Sequence, residues 1–139
     1  VWGPLAAGYL TGKYKPNQSP PKDSRLNYTQ ATMDDFLKPR IQHTVEMLDR
    51  IAKDLGKSMA EVALRWVLDQ DTITSVIVGA TKVGQIQSNI GCSGWELEKD
   101  LMLQLNEVSS VPLRYPHSME KDMHLRRSDA VNMPILQGE

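Results

Sequence analysis

At 139 residues the chain fits one modest domain, long enough to bury a hydrophobic core. With 40% hydrophobic and 24% charged residues it has an ordinary globular composition, and a net charge of −1 argues against general nucleic-acid or membrane-surface binding. Cys92 is the single cysteine, so no internal disulfide can form and a reducing, cytoplasmic compartment is expected. No apolar run approaches the ~18 residues of a membrane span, and no signal peptide is visible. The chain opens Val-Trp-Gly-Pro-Leu, without methionine, and reads as a piece of something longer.

Residues 1–5 suit the end of a strand that Pro4 keeps from continuing as a central one. Gly8 and Gly12 then punctuate a small-residue stretch running to Lys13. Such a stretch either lets backbone approach a ligand closely or forms a simple glycine-rich turn. Residues 14–39 read as a long loop carrying Pro16, Pro20 and Pro21. Lys13, Lys15, Lys22 and Arg25 make it basic; such charges serve either as a solvated surface or as a cover over phosphates.

A helix is expected over 40–55, where Ile41, Val45, Leu48, Ile51, Ala52 and Leu55 share one face and Gly56 ends it. His43 points away from that face. Ser58-Met59-Ala60-Glu61 is a capping box for a helix over 59–70, apolar on most sides, with Trp66 as a core residue.

The stretch 75–91 carries a short strand, Val76-Ile77-Val78, broken by Gly79. Thr81 is expected to cap a helix starting at Lys82, with Val83, Ile86 and Ile90 as its apolar stripe. Thr81, Gln85, Ser88 and Asn89 form an uncharged hydrogen-bonding face. A strand turning through glycine into such a helix either holds an anion on its outward N–H groups or is an ordinary βα unit. A last helix is expected over 96–108 with Leu97, Leu101, Leu105 and Val108. Beyond it, Pro112, Pro116 and Pro134 mark an extended tail, whose His117 and His124 do not make a metal site.

Two strands joined through helices are parallel, and two parallel strands cannot cover themselves. Further strands, from the parent chain or a second copy as a homo-oligomer, are therefore expected.

Three motifs in order resemble the aldo-keto reductases, closest to the branch holding bacterial general reductases and potassium-channel β subunits. Residues 2–14 resemble the seventh-strand motif. Ala60-Glu61-Val62-Ala63-Leu64-Arg65-Trp66 resembles the seventh-helix motif. Val78-Gly79-Ala80-Thr81 through Gln85 to Asn89 resembles the eighth strand and its helix. The resemblance covers residues 1–108 and implies the C-terminal part of a (β/α)8 TIM barrel, an α/β fold incomplete as a lone chain. It divides into strand 7 and cofactor segment (1–14), covering loop (15–40), helices (41–70), strand 8 with phosphate-binding helix (75–91) and C-terminal helix (95–108), followed by the tail (109–139).

The family places a nicotinamide cofactor, usually NADP(H), across the C-terminal ends of the strands. By resemblance, Trp2 lies near the nicotinamide beside Gly3, and Pro4, Leu5, Ala6, Gly8, Thr11 and Lys13 run along the pyrophosphate. Arg25 helps fold the loop over the cofactor. Gly79, Thr81, Gln85, Ser88 and Asn89 form the adenosine and 2′-phosphate pocket. Another branch carries a lysine and an arginine at the positions of Gly79 and Gln85. Lys82 is the available substitute here, which leaves NAD(H) open beside NADP(H).

The family's catalytic Asp, Tyr, Lys and His match no position in this chain. The resemblance thus implies either a cofactor-binding piece of a reductase, its carbonyl substrate bound through preceding residues, or a non-catalytic regulatory subunit that senses nucleotide or docks on a partner.

Overall fold

Two local signals separate the central helices. Gly56, at φ +61°, ends α2 (Pro39–Asp54) in the left-handed region that side chains resist. The Lys57 amide then donates to the Ala52 carbonyl at 2.9 Å and the Gly56 amide to that of Lys53 at 3.2 Å, closing a Schellman motif. Ser58 opens α3 (Met59–Leu68) with both bonds of the expected capping box. The Glu61 amide donates to the Ser58 hydroxyl at 3.2 Å, and the Ser58 amide donates to Glu61 Oε2 at 2.8 Å.

The computed structural model describes residues 1–28, 32–112 and Met119. The remaining helices are α1 (Met33–Phe36), α4 (Val83–Ile90) and α5 (Lys99–Ser109), with 3-10 turns at Ala6–Thr11 and Arg25–Asn27. The chain divides into two units, Val1–Ser109 and Ser110–Glu139, and α1–α5 all belong to the first. The proposed extended tail lies almost wholly outside the described residues.

The main core forms where α2 packs on α5 and α3. Leu48, Ile51 and Ala52 of α2 meet Val62 and Ala63 of α3, Leu97, and Leu105 of α5. Trp66 packs against this cluster as expected, and its indole N–H donates to Asn106 Oδ1 at 2.9 Å. His43 is exposed, as its position opposite the stripe requires. A second cluster gathers Tyr9, Tyr14 and Phe36, with ring centroids 5.4 to 5.9 Å apart in tilted and edge-on pairs. A polar clasp closes α3. Arg65 pairs with Asp69 and donates to the Cys92 carbonyl at 3.3 Å, while Asp69 Oδ2 accepts the Leu97 amide at 2.9 Å.

Several expectations are corrected. The two strands reduce, among the described residues, to one parallel bridge between Trp2 and Ile77. Its bonds are Ile77 amide to Val1 carbonyl at 2.9 Å and Val1 amino group to Ser75 carbonyl at 2.7 Å. A parallel pair without neighbouring strands has too few bonds and too little cover to extend. The 14–39 loop contains the Arg25–Asn27 turn and α1, because Thr32 caps Asp35 and Phe36 finds an aromatic pocket. α3 stops at Leu68 and α5 begins at Lys99, both shorter than the periodicity suggests.

The largest correction concerns α4. It begins at Val83 with Lys82, not Thr81, at the cap, and of its apolar stripe Val83 and Ile90 are turned outward while Ile86 is half-buried. Val83 is 73% and Ile90 63% exposed, whereas Asn89 is 6% exposed. The side of α4 that meets α3 is the hydrogen-bonding one: the Ser88 hydroxyl lies 3.2 Å from that of Ser58.

Candidate cofactor site

The parallel bridge arranges the candidate residues. Trp2 and Ile77 run in the same direction, so the segments that follow them leave from the same end of the pair. Gly3 to Lys13 departs on one side and Gly79 to Asn89 on the other. Trp2 is 79% exposed beside the bridge, and Pro4 and Leu5 are half-buried.

The first segment is a tight, strained coil. Gly3, Gly8 and Gly12 have positive φ, and so do Ala6 (+48°) and Ala7 (+56°). Left-handed geometry costs a residue with a Cβ about 1–2 kcal/mol, so packing around the alanines must hold them there. One side chain bonds an alanine directly and two more brace the coil around it. The Thr11 hydroxyl donates to the Gly8 carbonyl at 2.8 Å, the Tyr14 hydroxyl to the Ala7 carbonyl at 3.2 Å, and the Tyr9 hydroxyl to the Thr32 carbonyl at 2.7 Å.

Lys13 folds back over Gly8, where a Cβ would lie 2.6 Å from its Nζ, and sits 5.0 Å from the Tyr14 ring centroid. Burial, with the nearby Asp35 carboxylate, pushes the Tyr9 hydroxyl above its ordinary pKa. Sequence reasoning missed Tyr9, Tyr14 and Ala7 as the frame of this coil. The available signal was two tyrosines flanking a stretch too small-chained to order itself.

The second segment focuses donors on one point. Gln85 Oε1 accepts from the Thr81 amide at 2.9 Å, the Thr81 hydroxyl at 3.2 Å and the Lys82 amide at 3.3 Å. Three donors converging on a single oxygen at the start of a helix make a place where an oxyanion also fits. Thr81, Lys82 and Gln85 are exposed, Ser88 is half-buried and Asn89 is buried. Gly79 is exposed, with nothing within 4 Å of where its Cβ would stand.

Arg25 is exposed in its 3-10 turn, and among the described residues no hydrogen bond or ion pair ties its guanidinium to either segment. Neither of two hollows is lined by the second segment, and the smaller touches the first at Leu10. One, of about 310 Å³, is open and lined by His43, Glu46, Met47, Arg50 and Val108; a narrow apolar one of about 70 Å³ runs past Leu10, Leu48 and Trp66. Among the described residues no His, Cys, Asp and Glu cluster could hold a metal, and no helix is long and apolar enough to cross a membrane.

The Aldo/keto reductase family model matches residues 1–110. The chain belongs to that family. It is 36% identical over 91 residues to L-glyceraldehyde 3-phosphate reductase of Escherichia coli, covering 63% of this chain and 26% of that protein. It is 40% identical over 97 residues to a probable voltage-gated potassium channel subunit beta of Arabidopsis thaliana, covering 65% of this chain and 28% of that protein. A solved glycerol dehydrogenase from Gluconobacter oxydans has a similar fold, with a TM-score of 0.61, 27% identity, and coverage of 82% of this chain and 36% of that one. The chain thus spans about a quarter to a third of the length of these relatives.

Proposed function

We propose that this chain is the cofactor-binding C-terminal part of an NADP(H)-dependent aldo-keto reductase, the last two strands and helices of a (β/α)8 barrel. The observation that carries the reading is the parallel Trp2–Ile77 bridge, from one end of which both candidate segments depart. The exposed apolar side chains Trp2, Ile77, Val83 and Ile90 support the further reading that preceding barrel strands lie against them.

Each residue has a physical task. The coil of residues 3–13, with the glycine backbone bare at Gly3, takes the pyrophosphate, and Trp2 lies by the nicotinamide. Thr81, the Lys82 amide and the Lys82 ammonium take the 2′-phosphate, with Gln85 turning aside to release the donors it now occupies. Ser88 and Asn89 complete the adenosine end. Arg25 closes the loop over the cofactor. When bound, the nicotinamide supplies the hydride that converts an aldehyde or ketone to an alcohol, and the proton donor belongs to preceding residues.

A second reading, a nucleotide-sensing subunit without turnover, is favoured by the 40% identity with the channel β subunit. Both are tested on the intact protein. NADPH is expected to quench tryptophan fluorescence through Trp2, and Thr81→Ala with Asn89→Ala to weaken that binding. Unchanged affinity would sink the pocket assignment. Oxidation of NADPH by an aldehyde then supports the reductase, and binding without turnover the sensor.

A further inference from the structure

Gly91, which follows α4, has φ −58°, a conformation open to every residue, so its lack of a side chain answers to space. A Cβ there would collide with Oε1 of Glu61 and stand 3.0 Å from both its carboxyl carbon and the Ser88 carbonyl oxygen. Gly79 and Gly84, by contrast, have nothing within 4 Å. Glu61 cannot swing clear cheaply, because its other oxygen, Oε2, holds the Ser58 amide at 2.8 Å. The Ser58 hydroxyl, which caps α3, also lies 3.2 Å from the Ser88 hydroxyl. The capping box of α3 therefore touches α4 near its end at Ser88 and Gly91, about one helical turn apart.

We propose that Glu61, through its contact with Gly91, is a positioning residue for α4: the capping box of α3 also sets where the donor-rich start of α4 stands. This rests on the cofactor reading of Thr81, Lys82 and Gln85. α4 is eight residues, about 12 Å long, so a shift at its end is carried as a rod to its start. The part of a cofactor most affected is the phosphate at that start. The effect therefore falls on discrimination between NADPH and NADH.

The test uses the intact protein. Gly91→Ala is expected to speed amide hydrogen exchange across α4 and to raise the NADPH dissociation constant about 10-fold, with less than about 3-fold change for NADH. Adding Glu61→Ala removes the carboxylate that the new methyl meets, leaving the Ser88 carbonyl oxygen at 3.0 Å, and is expected to recover part of both readouts, a non-additivity that two independent losses would not produce. Unchanged α4 exchange in Gly91→Ala, or additive damage in the double variant, overturns the inference. Failure of the wild-type protein to bind NADPH overturns the cofactor reading, and with it the effect on discrimination, but not the placement of α4 by Glu61. The exchange measurement, which needs no cofactor, tells the two failures apart.

Discussion

At the residue scale the decisive group is Gln85. One amide oxygen collects three donors that a helix start offers to an anion, and it is neutral. Gln85→Glu should keep those bonds, and even suit the helix dipole, while repelling a phosphate. The expected outcome is a fall of about 10-fold or more in the ratio of NADPH to NADH affinity, measured by fluorescence titration of the intact protein; an unchanged ratio would remove Gln85 from the pocket. Lys82 is the one cation in the Gly79 to Asn89 segment, and it is exposed. Lys82→Ala should weaken NADPH about 3- to 10-fold, less as salt is added, because exposed charge pairs are modest and screened. Both residues were named as candidates from the sequence. That Gln85 folds back onto Thr81 and Lys82 was not legible there, since it depends on a side-chain torsion that no spacing records.

At the element scale, helices followed their local signals and the strands did not. Gly56 and the Ser58 to Glu61 box were readable because capping is a matter of neighbours three or four residues apart. Ser58→Ala should cost about 1 kcal/mol in chemical denaturation, read as a lower midpoint at an unchanged slope. Burial disfavours the Glu61 carboxylate, but hydrogen bonds from Ser58, with Lys57 nearby, outweigh it and hold the pKa below its ordinary 4.5. A depressed carboxylate stabilises the fold above its unfolded pKa, so this contribution is present at neutral pH and lost as pH falls below 4.5 through the folded value. A stability titration of wild type against Glu61→Gln should converge in acid; parallel curves would deny the linkage. Phe36 sits under Tyr9 and Tyr14, and Phe36→Ala should cost about 3–5 kcal/mol by emptying that cluster. A loss below about 1 kcal/mol would mean that the cluster contributes little.

At the scale of the whole molecule, one apolar set is buried and another is not. Leu48, Ile51, Val62 and Leu105 close a helical core, while Trp2, Ile77, Val83 and Ile90 remain at the surface. The outward turn of α4 follows from what lies beside it: α3 offers Ser58 and Glu61 to Ser88 and Gly91, and nothing described offers an apolar wall to Val83. The 139-residue chain by itself is expected to show no carbonyl reductase turnover with NADPH. Measured activity would refute the view that the catalytic groups lie in preceding residues.

Sequence alone determined α2 and α3 with the Gly56 and Ser58 signals between them, and the family, because periodicity, capping chemistry and ordered motifs are properties of neighbouring residues. It also named the two glycine-containing segments as the candidate site. Only the tertiary structure decided that Ala6 and Ala7 are held left-handed by Tyr14 and Thr11, that the strands shrink to one bridge, and that α4 shows its polar side to α3. The first depends on side-chain geometry among near neighbours that spacing does not record; the other two depend on partners distant along the chain, which settle strand pairing and helix facing.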